Sequence, residues 1–132
     1  MKLRIRGNSI RIRVDRKDLA ELLNDGQIAD EIRFGSARNK VLSYSVRIGC
    51  APRGRPQVQY AAGRFLMTID PADAEEWHRS ENVGFGHEQA NEDGAVVRVL
   101  LEKDFACIDG DSDESQEDAF PNPALAAGMR SC

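Results

Sequence analysis

The chain has 132 residues, 41% of them apolar and 30% charged, with a formal net charge of −4; this is the profile of about one globular domain. Its apolar runs stop after a few residues, and Met1 to Arg6 alternate charged with apolar side chains, so neither a membrane span nor a signal-peptide core is expected. Three cysteines, Cys50, Cys107 and Cys132, lack Cys-x-x-Cys spacing, which excludes a disulfide scaffold and a thiolate zinc knot. The expected location is cytoplasmic.

Leu3 and Ile5 alternate with Lys2, Arg4 and Arg6; Ile10, Ile12 and Val14 alternate with Arg11 and Arg13. The apolar parity flips across Gly7-Asn8-Ser9, so a bulge or tight turn must separate two strands. Asp15 reads as a helix N-cap with Asp18 three positions on, Leu19, Leu22 and Leu23 on one face, and Gly26 as terminator. Ile28, Ile32 and Phe34 predict the next strand, Gly35 to Lys40 a turn, and Leu42, Tyr44, Val46 and Ile48 its hairpin partner. The loop from Gly49 to Pro56 is a joint.

The same pattern then recurs 55 residues later. Leu3 and Ile5 fall on Val58 and Tyr60; Ile10, Ile12 and Val14 fall on Phe65, Met67 and Ile69. Asp15 and Asp18 fall on Asp70 and Asp73, with Pro71 at the first helical position. Leu22 falls on Trp77, Ile28 on Val83, and Leu42, Tyr44 and Val46 on Val97, Val99 and Leu101, without a gap. Shared periodicity and capping predict a duplication. The expected fold is mostly β (α+β), a small pseudo-twofold β-barrel of two β-β-α-β-β units. These occupy about 1–55 and 56–108 of a single domain, followed by an acidic C-terminal tail over 109–132.

Charge is divided along the chain. Residues 1–60 carry 13 Lys/Arg against 6 Asp/Glu, and residues 61–132 carry 5 against 16. Lys2, Arg4, Arg6, Arg11 and Arg13 project opposite the apolar face, whereas the second unit has Gln57, Gln59, Ala61, Leu66 and Thr68 there. A stripe needed only for solubility has no reason to occupy one unit alone, so these five residues are the candidate anion-binding set. Pairing with the acidic half, or plain solvation, is the competing reading. No aromatic stacking platform accompanies the stripe.

Other candidates resolve less. Asp109, Asp111 and Asp113 have the opening spacing of a calcium loop, but Glu114 and Phe120 stand where Gly and Glu are required. His78 near a helix end and His87 at an apolar-parity position belong to no ligand motif. Cys107 has acidic neighbours, which disfavour a thiolate, and Cys50 lies among arginines without a partner histidine in sequence. No nucleophile–base pair, phosphate loop or metal-ligand spacing occurs, so no catalytic residue, metal or cofactor is expected. Phe120, followed by Pro121 and Pro123, is expected to anchor the acidic tail in an apolar groove while the tail crosses the basic face.

The segments Lys2 to Ser9, Glu102 to Cys107 and Phe120 to Pro123 resemble the start and end of a bacterial domain-of-unknown-function family. The order strand, Gly7-Asn8-Ser9, strand, short helix, hairpin is more loosely similar to the AbrB-like swapped-hairpin domains of transition-state regulators and antitoxins. That second resemblance implies intertwined hairpins and nucleic-acid binding. The expectation is a non-enzymatic cytosolic binding or regulatory module, monomeric or homodimeric, with an anionic ligand or nucleic acid as partner and no membrane role. An AbrB-like nucleic-acid-binding regulator, and a small enzyme whose site forms only in three dimensions, are the alternatives.

Overall fold

A computed structural model of the chain describes residues 1–105 and residue 120. Strands β1 (Lys2–Arg6) and β2 (Ser9–Val14) form an antiparallel hairpin. Gly7 has φ +53, as the first central residue of a type II′ turn requires, and a Cβ would be strained there. This turn resolves the parity flip: Leu3 lies opposite Ile12 and Ile5 opposite Ile10, so both strands turn their apolar residues to one face.

Helix α1 (Arg16–Asp25) opens on a reciprocal cap. The Asp15 side chain accepts from the Asp18 N–H at 2.8 Å, and the Asp18 side chain accepts from the Asp15 N–H at 3.0 Å. Two otherwise orphaned helix donors are thereby satisfied. Leu19 and Leu22 are buried, and the helix ends at Gly26. Strands β3 (Gln27–Arg33) and β4 (Val41–Ile48) follow as a hairpin, with a 3₁₀ turn over Arg38–Lys40 in their connection.

Strands β5 (Gln57–Ala61) and β6 (Arg64–Ile69) lead into helix α2 (Pro71–Arg79). Asp70 caps that helix by accepting from the Ala72 and Asp73 N–H groups at 2.9 and 3.1 Å. Trp77 is fully buried, meets Phe85 edge to face at 5.6 Å, and donates its indole N–H to the Val83 carbonyl at 3.2 Å. A buried indole needs such a partner. Strands β7 (Gly84–Ala90) and β8 (Val96–Lys103) complete the described elements.

The fold is mostly β with two small helices, and the strands form two open four-stranded sheets rather than one closed barrel. One sheet has the order β1-β2-β8-β7 and the other β3-β4-β6-β5. In each, a parallel ladder joins two antiparallel hairpins: β2 with β8, and β4 with β6. The expected closure fails because, among the described residues, no backbone ladder joins an edge of one sheet to an edge of the other. Side chains bridge one such gap instead. The Gln89 amide accepts from the Val58 N–H and donates to the Val58 carbonyl, both at 2.8 Å, satisfying edge groups of β5 as a neighbouring strand would. His87 Nε2 donates to the Pro56 carbonyl at 2.6 Å.

Residues of both sheets and both helices share one apolar cluster, with Ile12, Leu22, Val46, Met67, Trp77, Val99 and Leu101 at its centre. The ungapped register also needs correction. Val83 precedes β7, and Phe85 stands opposite Leu101 where Ile28 stands opposite Val46.

Candidate anion-binding face

Period-two alternation in β1 and β2 sends Ile10, Ile12 and Val14 into the core and the intervening residues to the other face of the first sheet. Cross-strand partners share a face. Lys2 lies opposite Arg13, Arg4 opposite Arg11, and Arg6 opposite Ser9. The parallel ladder extends those rows, placing Ser9 beside Arg98, Arg11 beside Leu100 and Arg13 beside Glu102. The five basic residues expected to act together therefore do share one surface.

The surface holds its own counter-charges. Arg11 is only 8% exposed, and its Nε lies 2.9 Å from Glu102 Oε1, too poorly aligned for a hydrogen bond. Lys2 Nζ lies 2.8 Å from Asp104 Oδ2. Glu88, opposite Arg98, adds a third carboxylate. Among the described residues, six cations and three anions thus share this face. Arg98, Glu102, Glu88 and Asp104 are not among the residues the sequence singles out for this face, although the outward parity of β7 and β8 carries the signal for the first three.

The joint loop is occupied differently. Arg53 is exposed and reaches three carboxylates of α2 and its N-cap: Nε lies 2.7 Å from Asp73 and 3.5 Å from Asp70, and a terminal nitrogen lies 3.1 Å from Glu76. The hydrogen bond and charge of Asp73 hold the guanidinium pKa above its ordinary value. Asp73 also accepts from the Gly54 N–H. The equivalent acid of α1, Asp18, lies 2.8 Å from the Met1 ammonium. Burial raises the Asp18 pKa, but the ammonium and the Asp15 N–H outweigh it and the net shift is downward. Burial and then Asp30 raise the Tyr44 phenol.

The remaining candidates are scattered. His78 is exposed in the last turn of α2, and His87 is half-buried against Pro56 and Gln57. Cys50 is exposed and free. Phe120, the expected anchor of the tail, is 95% exposed. Cys107, Cys132 and the acidic run from Asp109 to Asp118 lie outside the described residues. Among the described residues, no group of three or more His, Cys, Asp or Glu could hold a metal, and no helix is long and apolar enough to cross a membrane.

No curated protein and no solved structure matches the chain. Residues 1–124 match the family described as "Family of unknown function (DUF7009)", in keeping with the resemblance carried by Lys2 to Ser9, Glu102 to Cys107 and Phe120 to Pro123. A match over so much of the sequence places the chain in that family, and it is a member of DUF7009.

Proposed function

We propose that the protein is a binding or regulatory module, not an enzyme, whose working surface is the outer face of the β1-β2-β8-β7 sheet and whose partner is anionic. One observation carries the reading: Lys2 faces Arg13 and Arg4 faces Arg11 directly across the hairpin. Like charges in cross-strand pairs oppose hairpin formation. Ion pairs to Asp104 and Glu102 offset part of that repulsion, and a polyanion gains from each cation it meets.

A duplicated chain fits this reading. The ladder from Ser9–Arg98 to Val14–Lys103 and the ladder from Arg64–Ser43 to Ile69–Ile48 interconvert when residue numbers shift by 55. Two β-β-α-β-β units, about 1–55 and 56–108, that exchange their second hairpins produce this pairing. The face positions of the second unit are Gln57, Gln59, Ala61, Leu66 and Thr68. The acidic tail over 109–132 then acts as an internal competitor for the basic face, a role for which the Lys2–Asp104 ion pair is a precedent. Exchange of hairpins between halves also favours a second reading, an AbrB-like nucleic-acid-binding regulator.

Heparin chromatography across a salt series tests the proposal. The chain is expected to be retained at low salt. An Arg4→Ala/Arg13→Ala double variant is expected to elute earlier, with a salt slope shallower by about one for each anionic group it no longer neutralises. Identical elution of the two proteins overturns the reading. Truncation after Ile108 is expected to raise retention, and unchanged retention overturns the role given to the tail. A duplex-DNA shift that depends on sequence favours the regulator reading; equal binding of all duplexes favours a general polyanion surface.

A further inference from the structure

We propose that the open end of the β3-β4-β6-β5 sheet binds a small organic phosphate that carries a planar ring. A cleft of about 810 Å³ lies there, between the β3–β4 connection and the β5–β6 turn. Its volume falls in the range of small-molecule sites. Three guanidinium groups reach it from three separate elements: Arg33 from the end of β3, Arg38 from the 3₁₀ turn, and Arg64 from the start of β6.

Charge selects the ligand class. Glu31 is the one carboxylate in the lining, and its Oε1 lies 2.9 Å from an Arg33 terminal nitrogen. Among the described residues, Arg38 and Arg64 meet no carboxylate. The lining therefore carries two positive charges in excess, which matches a phosphate monoester better than a single carboxylate. Planar guanidinium forks suit phosphate oxygens in bidentate geometry.

The ring of the ligand has its own seat. Tyr60 is 64% exposed and lines the cleft beside Val41. Its ring leans on Phe65 at a centroid distance of 4.9 Å and 42°, leaving much of its π surface open for stacking.

The cleft is open for a structural reason. At the matching end of the first sheet, the Asn8 side chain donates to the Val96 carbonyl. The equivalent position in the second sheet is Gly63, at φ +78, where a Cβ would sit 2.9 Å from the Val41 carbonyl oxygen. No side chain can close this end as Asn8 closes the other. The proposal is independent of the basic face, since the two sites lie on different sheets.

Titration of the full chain by calorimetry, with adenosine 5′-monophosphate, inorganic phosphate and adenosine as separate probes, tests the assignment. The nucleotide is expected to bind saturably with a Kd on the order of a millimolar or tighter, phosphate more weakly, and adenosine weakest. Arg38→Ala and Arg64→Ala are each expected to weaken nucleotide binding about tenfold. Tyr60→Ala should weaken it by about tenfold while leaving phosphate unchanged. These side chains are exposed, so the variants should keep the wild-type circular dichroism. Absence of saturable nucleotide binding, or wild-type affinity in both Arg38→Ala and Arg64→Ala, overturns the proposal. Loss of binding in Arg4→Ala/Arg13→Ala instead would overturn it too and move the site to the first sheet. Nucleotide and phosphate affinities that are equal, with no effect of Tyr60→Ala, would overturn the ring seat.

Discussion

The far ends of the two sheets are built from the same parts and finish differently. In each, a tight turn between two strands lies against the connection of a hairpin. In the first sheet the turn is Gly7-Asn8 and the connection covers residues 91–95; in the second the turn is Ala62-Gly63 and the connection covers residues 34–40. One backbone bond is common to both: Arg98 N–H to the Asn8 carbonyl at 3.0 Å, and Ser43 N–H to the Gly63 carbonyl at 2.9 Å. Both connections close on themselves, through Asn91 N–H to the Ala95 carbonyl at 2.8 Å and Phe34 N–H to the Lys40 carbonyl at 2.7 Å, but only the first end is sealed further by the Asn8 side chain. The second has a glycine at that point and two more residues in its connection, and it gapes. A single side chain and two residues of loop separate a closed end from a cleft.

The comparison breaks hardest on the faces. The Arg11–Glu102 pair of the first sheet has Leu66 and Arg47 as its counterparts in the second. Glu102→Gln removes a carboxylate from a guanidinium that is only 8% exposed, and is expected to cost about 3 kcal/mol in chemical denaturation. A loss below about 1 kcal/mol would mean that solvent or other partners compensate Arg11 in full. The same substitution should raise heparin retention, because it takes one anion off the proposed binding face.

The helix caps offer the next contrast. Asp18 and Asp73 occupy the same place in α1 and α2 but hold different partners, the Met1 ammonium and Arg53 with Gly54. Asp18→Asn keeps an acceptor for the Asp15 N–H but removes the charge facing the Met1 ammonium and the helix N-terminus, and is expected to cost about 1 kcal/mol near neutral pH. Because the folded-state pKa of Asp18 lies below 3.8, its contribution is complete above that value and is lost as pH falls through the lowered folded value. An acid titration of stability should therefore be flatter in Asp18→Asn than in the wild type below pH 3.8. Parallel acid curves would remove Asp18 from the acid response.

Local chemistry made much of this legible. Asp15 with Asp18, and Asp70 with Pro71, announce both helices because capping is settled within four residues. Alternation announces the strands and puts Lys2, Arg4, Arg6, Arg11 and Arg13 on one face. Alternation also hides the slip at β7: a shift of two residues leaves a period of two unchanged, so Val83 and Phe85 are indistinguishable as matches for Ile28. What separates them is tertiary, the backbone of β8 lying so near Gly84 that a Cβ would meet the Leu101 carbonyl. The division into two open sheets rests on ladders such as Ser9–Arg98, which leave no local trace. The cleft was invisible for the same reason, since Arg33, Arg38 and Arg64 meet only through the pairing of β4 with β6.

At the closed end, Asn8→Ala should cost about 1 kcal/mol by leaving the Val96 carbonyl without its side-chain donor, and hydrogen exchange in residues 91–95 should quicken. Exchange that stays at the wild-type rate would mean that the loop holds itself shut.

The smallest effect is the most diagnostic of the open end. Ala62 has φ +50 and Gly63 φ +78, two consecutive left-handed residues of the kind a type I′ hairpin turn demands. Asn and Gly are favoured there, and an alanine in that conformation costs of the order of 1 kcal/mol. Ala62→Asn is therefore expected to stabilise the protein by about 0.5 kcal/mol, raising Tm by about 2 °C. A type I′ turn would be unchanged in shape, but Ala62 lines the cleft, so the new amide stands at the binding site. If stability rises while nucleotide affinity falls, the added side chain narrows the cleft, and the difference between the two ends lies in the side chains of this turn. If stability falls instead, the turn departs from type I′, and the twist of β5 against β6 sets the geometry of this end.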